Sequence, residues 1–132
     1  MTPFGQKLRE IRAERQLTMK EMAKGLGVSS AYLSSVEHGH RGQPSRRFVH
    51  RVCQYLNIIW DDAEELEALA IRSDPKVSVN TAGLAPKATY LANCLAEKIA
   101  GLTDEQIEAM LDILGVESEP VPGEKFGDDK QG

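Results

Sequence analysis

Apolar residues recur at helical spacing through most of the chain, and most of these runs follow a residue that can cap a helix. Phe4, Leu8 and Ile11 form the first stripe, behind the cap residue Thr2 and a proline at the first helical position. Similar stripes continue as far as Leu114 and predict seven helices. The pattern therefore predicts an all-α protein, which the high content of helix-forming residues supports.

Polar residues that can cap a helix indicate where the predicted helices begin. Thr18 with Glu21 three residues later is a capping box, and Gly27 ends the helix that it opens. The helix from Ser29 to Glu37 is then only about two turns long. The later caps predicted in the same way are Ser45, Asp61 or Asp62, and Thr103 with Gln106.

The residue pattern changes after the fifth predicted helix, and the chain is predicted to have three regions. Residues 1–72 form a five-helix domain, residues 73–116 a short extended segment followed by two helices, and residues 117–132 a flexible acidic tail. Val77 to Asn80 alternates in the manner of a short strand. Two amphipathic helices and a strand cannot bury their apolar faces unaided, so they either fold back on the first domain or form a dimer.

Of these two arrangements we favour the homodimer. The dimer would exchange the strand or pack the helices across the axis. The residues predicted to build it are Val77, Val79, Leu91, Leu95, Ile99, Ile107, Met110, Leu111 and Leu114.

Composition is that of a soluble globular protein, with 41% hydrophobic and 27% charged residues in 132. No apolar run approaches the roughly 20 residues that span a bilayer, and no basic and apolar leader opens the sequence, so we expect a cytoplasmic protein without membrane association. Cys53 and Cys94 each lie within a helical apolar pattern, which argues against a disulfide.

The net charge of −4 is unevenly divided along the chain. Residues 1–56 contain ten Lys and Arg against four Asp and Glu, a net charge of +6, and the remainder carries −10. A basic module gains affinity for nucleic acid because neutralising phosphates releases condensed counterions. The charge pattern thus favours a DNA contact in the first domain and not in the second.

Two short helices joined by a tight turn, from Thr18 to Gly39, meet the geometry in which one helix braces against DNA and the other enters the major groove. The stretch LTMKEMAKGLGVS, continued by YLSSVEHG, resembles the lambda-repressor-like (XRE/Cro) family of helix-turn-helix regulators. The resemblance covers residues 4–70 and implies a five-helix fold of the lambda-repressor type that binds double-stranded DNA.

The same resemblance implies roles for individual residues. Those at positions that face bases in the family are Ser29, Ser30, Ala31, Ser34 and Ser35. Those at backbone-contacting positions are Met19, Lys20, Tyr32, Arg41, Arg46 and Arg47. Arg12 and Glu37 occupy the positions of a buried ion pair that ties the first helix to the DNA-reading helix. Because serines are weak base readers, DNA shape would supply a larger share of the specificity.

The chain also contains residues that are typical of metal and catalytic sites. His38, His40, His50 and Cys53 have spacings found among zinc ligands, but the first two lie in the loop that approaches DNA in the family, so we expect no metal site. No catalytic triad or glycine-rich phosphate loop is present, so we expect neither an enzyme nor a cofactor. The predicted function is a dimeric transcriptional repressor with a pseudo-palindromic operator. The dimer fits this function because two-fold proteins read two DNA half-sites, whereas a single module with short base-reading side chains binds weakly. The alternative is an antitoxin-like or regulator-binding module with a protein partner of unknown identity.

Overall fold

The computed structural model describes residues 1–116, and all regular structure in this range is helical. The described chain divides into two compact units, of which the first is residues 1–76 and the second begins at Val77. The predicted all-α class is confirmed. The predicted acidic tail, residues 117–132, lies outside the described residues. The helices are α1 Pro3–Arg15, α2 Met19–Leu26, α3 Ser30–Glu37, α4 Arg46–Leu56, α5 Trp60–Ile71, α6 Pro86–Lys98 and α7 Asp104–Leu114, with a 3₁₀ turn at Ile99–Gly101.

Helix starts in the first unit follow the caps predicted from sequence. The Thr2 side chain accepts a hydrogen bond from the Gly5 amide, and Pro3 occupies the first helical position. Thr18 and Glu21 form both bonds of the capping box, at 3.0 and 2.8 Å. Ser45 accepts from Phe48 N at 3.1 Å. These local bonds satisfy amides that have no partner inside the helix, and thereby set where each helix begins.

Two predictions of local structure were wrong, one on the start of α5 and one on a strand at residues 77–80. Neither Asp61 nor Asp62 caps α5, because the helix already begins at Trp60. The residue at the cap position is Ile59, which makes no side-chain hydrogen bond. Both aspartates lie in the first turn instead, where the helix dipole favours negative charge. Residues 77–80 form no strand, since a strand requires a hydrogen-bonded neighbour and the described residues supply none.

The core of the first unit is built where the five helices converge. Phe4 on α1 packs edge to face against Phe48 on α4, with ring centroids 6.4 Å apart. Leu8, Leu33 and Leu66 are completely buried and bring α1, α3 and α5 together. The remaining buried apolar residues are Ile11, Met22, Ala23, Leu26, Val36, Val49, Val52, Leu56, Ile58, Leu69 and Ala70.

The second unit has no buried residue in either of its helices. Thr103 and Gln106 form the predicted capping box, at 3.1 and 2.9 Å, and Gly115 ends α7 in a left-handed conformation. Leu91 and Leu114 are 63% and 74% exposed. Apolar side chains on α6 and α7 therefore lack a buried environment within the described chain.

No helix among residues 1–116 is both long and apolar enough to span a membrane.

Candidate nucleic-acid interface

A left-handed turn at Gly27 sets the angle between α2 and α3. Its φ of 75° is a conformation that glycine adopts without steric cost, and the next amide, Val28 N, donates to Ala23 O at 3.0 Å. Ser29 then caps α3 by accepting from Tyr32 N at 3.0 Å. The turn and the cap follow each other directly, so the direction of α3 relative to α2 is fixed.

The two sides of α3 differ in burial. Leu33 and Val36 are buried in the core and anchor the helix. Three of the predicted base readers, Ser29, Ser30 and Ala31, are exposed, while the other two, Ser34 and Ser35, are half-buried. The side chains of Ser30 and Ser34 make no hydrogen bond within residues 1–116. This leaves a small polar surface on which no protein group competes for the hydroxyls of these two serines.

Arg12 and Glu37 contact each other as a buried ion pair. The guanidinium Nη1 donates to Glu37 Oε2, and it also lies 3.9 Å from the sulfur of Met22. Glu37 is completely buried and Arg12 is only 9% exposed. The pair joins α1 to the last residue of α3 and so fixes the orientation of the predicted DNA-reading helix.

The backbone at the end of α3 is also held by the start of α1, which sequence reasoning did not foresee. The amide and the hydroxyl of Thr2 both donate to the Glu37 carbonyl oxygen, each at 3.1 Å. Gly5 approaches the same peptide so closely that a Cβ at this position would lie 2.1 Å from that oxygen. A glycine in the first turn of a helix was the available signal, because glycine is otherwise disfavoured inside helices.

Beyond α3, Arg41 folds back onto Tyr32 and Ser35. Its guanidinium carbon lies 4.5 Å from the centroid of the Tyr32 ring, within the range of a cation–π contact. Its Nε donates to the Ser35 hydroxyl at 3.1 Å, and that hydroxyl donates to Tyr32 O at 2.7 Å. The structure thus links two predicted backbone-contacting residues to one predicted base reader.

The remaining predicted backbone-contacting residues lie near the starts of α2 and α4. Lys20 and Arg47 are exposed, whereas Met19 is half-buried and packs against the core. Arg46 is 81% exposed, and its Nε lies 3.7 Å from Glu67 Oε2. A carboxylate therefore accompanies one of the arginines proposed for phosphate binding.

Sequence reasoning assigned no DNA-contacting role to two further basic residues of α4. His50 and Arg51 follow Arg46 and Arg47 at i+4 spacing and, with Gln54, complete the lining of a shallow depression of about 380 Å³. Arg51 Nη1 donates to Leu26 O at 3.2 Å, which satisfies a carbonyl at the end of α2. The helical spacing from Arg46 and Arg47 was the signal that could have identified both residues.

His38 and His50 each contact a different oxygen of the protein. His38 Nδ1 lies 2.9 Å from Ser34 O, and His50 Nε2 lies 3.4 Å from Glu67 Oε2. Burial, followed by the negative charge of Glu67, raises the pKa of the Cys53 thiol. Over the described part of the chain, no three His, Cys, Asp or Glu side chains lie in a position to hold a metal ion.

The geometry is that of a helix-turn-helix domain. The helix-turn-helix domain family matches residues 3–69, about half of the chain, and the chain belongs to this family. The predicted resemblance to lambda-repressor-like regulators is confirmed by this match and by the relatives described next.

Three relatives from Bacillus subtilis (strain 168) illustrate the similarity. The chain is 39% identical over 62 residues to the uncharacterised HTH-type transcriptional regulator RghRB and 38% identical over 61 residues to the HTH-type transcriptional repressor RghR. These matches cover 47% and 46% of this chain and 45% of each relative. The HTH-type transcriptional regulator SinR is 31% identical over 68 residues, covering 48% of this chain and 61% of SinR.

The chain thus spans about half the length of the curated relatives that it matches. Their names describe transcription regulators, a non-enzymatic class, which supports the prediction that the chain is not an enzyme. No solved structure matches the chain.

Proposed function

We propose that the chain is a sequence-specific DNA-binding transcriptional regulator, acting in the cytoplasm as a dimeric repressor on a pseudo-palindromic operator. The observation that carries this proposal is the difference between the two sides of α3. Leu33 and Val36 are buried on one side, and the other side carries the exposed residues Ser29, Ser30 and Ala31. An α-helix presented in this way fits the major groove of B-DNA. The names of the relatives RghR and SinR support the same function.

In this function the exposed face of α3 reads base edges. Ser29, Ser30 and Ser34 offer hydroxyls that donate or accept, and Ala31 offers a methyl group to thymine. Ser35 was predicted to share this role. These short side chains give weak discrimination, so the sequence-dependent shape of DNA contributes to specificity.

The DNA backbone would be held from three sides of α3. Met19 and Lys20 lie at the start of α2, Tyr32 and Arg41 lie beside α3, and Arg46 and Arg47 lie at the start of α4. Met19 would act through its backbone amide, since a thioether cannot pair with phosphate. Cations and helix N-termini at these positions fix the register of α3 on the duplex.

The proposal is tested by selecting bound DNA from a random pool and titrating the recovered sequence at several salt concentrations. Ala31→Glu places a carboxylate on the exposed face of α3. It should abolish binding, because DNA phosphates and the acceptor atoms of the bases repel this negative charge. The matched control is Ala68→Glu, at an exposed position of α5, which should bind normally. Failure to recover any sequence, or equal effects of the two variants, would overturn the proposal.

The exposed apolar side chains of the second unit support the proposed dimer. Besides Leu91 and Leu114, Val77, Val79 and Ile99 are more than half exposed, while Ile107 and Met110 are 37% and 39% exposed. A second copy of the unit would cover these positions, together with Leu95 and Leu111, and would place two α3 helices on two half-sites. Sedimentation of the full chain tests this, and a monomer at tens of micromolar would contradict it.

A second candidate function draws on the same exposed surface. The apolar side chains of α6 and α7 would equally accept a different protein, as in an antitoxin-like or regulator-binding module. Salt-dependent binding to the DNA upstream of the chain's own coding sequence would support the first function, whereas a module that acts only through a protein partner would bind no DNA.

A further inference from the structure

The hydroxyl of Ser35 is engaged in the DNA-free structure. It donates its single proton to Tyr32 O at 2.7 Å and accepts the Nε proton of Arg41 at 3.1 Å. A hydroxyl has one donor, so a donated hydrogen bond from Ser35 to a base edge would first require the bond to Tyr32 to break. Ser35 therefore differs from its neighbours Ser30 and Ser34, whose hydroxyls are not engaged within the described residues.

Arg41 is restrained at two points by these neighbours. The bond from Nε fixes one edge of the guanidinium, and the Tyr32 ring, 4.5 Å from its central carbon, supports one face. Among residues 1–116, no carboxylate forms an ion pair with Arg41, and its terminal nitrogens Nη1 and Nη2 donate to no protein group. The edge that carries these two nitrogens can bind two oxygens of one phosphate.

We propose that Tyr32 and Ser35 form a socket that presets the Arg41 guanidinium for a bidentate contact with one DNA phosphate. Ser35 is then a positioning residue for Arg41 and not a base reader. The inference rests on the proposed DNA-binding function and changes the role of one residue within it. A preset arginine gives up less side-chain freedom on binding than a mobile one, and this raises affinity for every sequence equally.

The first measurement needs no DNA. In the NMR spectrum of the free full-length chain, the Arg41 Nε proton should be protected from exchange and shifted by the Tyr32 ring current. Ser35→Ala should remove the protection, whereas Ser34→Ala should leave it unchanged. An Arg41 signal that is identical in the wild type and in Ser35→Ala would overturn the socket.

The second measurement titrates Ser35→Ala, Arg41→Ala and the double variant against the selected DNA and against its single base-pair variants. Ser35→Ala should weaken binding to all of them by roughly three- to tenfold. Arg41→Ala should weaken it further and reduce the salt slope by about one. The double variant should bind no more weakly than Arg41→Ala, because Ser35 acts only through Arg41.

Two results would overturn the role assigned to Ser35. One is a loss confined to a single base pair and additive with Arg41→Ala, which would make Ser35 a base reader. The other is unchanged binding by Ser35→Ala. If the wild type binds no DNA while the Arg41 signal is protected, the socket stands and both the phosphate contact and the proposed function fail.

Discussion

Arg12 on α1 forms an ion pair with Glu37, the last residue of α3, at a point where Glu37 is completely excluded from solvent. The second carboxylate oxygen, Oε1, is buried and accepts no hydrogen bond within the described residues. Arg12 is thus the cation that faces the buried carboxylate of Glu37. Since desolvation offsets much of the attraction in such pairs, the pair contributes more to the orientation of α3 than to net stability.

Removal of Arg12 alone should nevertheless destabilise the first unit strongly. Arg12→Ala leaves a buried carboxylate without its cation, and we expect the free energy of unfolding in urea to fall by about 3–5 kcal/mol. The double variant Arg12→Met with Glu37→Leu should recover most of the loss, because it removes both charges and keeps the volume. An unchanged melting curve for Arg12→Ala would show that the pair does not stabilise the first unit.

A methyl group at Gly5 should also be costly. Gly5→Ala places Cβ 2.1 Å from the Glu37 carbonyl oxygen, and backbone must move to relieve this contact. We expect a loss of about 2–3 kcal/mol in urea unfolding. The matched control is Gly101→Ala, where an added Cβ meets nothing within 4 Å, and its effect should stay within about 0.5 kcal/mol. Similar losses for both variants would contradict the contact as the cause.

Arg46 and Arg47 should contribute to DNA affinity independently of sequence. The double variant Arg46→Ala, Arg47→Ala should weaken binding to every DNA tested and reduce the salt slope by about two, one for each lost phosphate contact. Glu67→Gln is the complementary control, because it removes the carboxylate 3.7 Å from Arg46 and should strengthen binding. A loss restricted to one operator sequence would be incompatible with this role.

Cys53 should titrate at a higher pH in the folded chain than in the unfolded chain. Burial and the charge of Glu67 both disfavour the thiolate, which raises the pKa above its ordinary value of 9.0. The midpoint of the alkylation rate against pH, measured with iodoacetamide in a Cys94→Ser background, should therefore lie higher without urea than with it. Because the folded state holds the proton more tightly, this stabilisation is present at neutral pH and is lost as the pH rises through the folded-state pKa.

Glu67→Gln separates the two causes of the Cys53 shift. It should lower the midpoint only part of the way, since burial, the larger cause, remains. Equal midpoints in the folded and unfolded chains would show that the pKa of Cys53 is not raised.

Much of the first unit follows from neighbouring residues in the sequence. Thr2, Thr18, Ser29 and Ser45 each cap a helix through a bond to an amide three residues away, so the residue types alone predict the helix starts. The α5 start departs from this rule. Trp60 has a φ of 56°, an uncommon conformation for an aromatic residue, and no local propensity predicts it.

The sequence by itself determined the helical class, the helix-turn-helix domain and the basic first half, because these depend on periodicity, caps and charge within short stretches. Only the tertiary structure decided that Gly5 touches Glu37, that Ser35 holds Arg41 and that residues 77–80 form no strand. The physical reason is the same in each case. Such contacts join residues that are apart in sequence, or need a partner strand, and local pattern does not specify how helices approach each other.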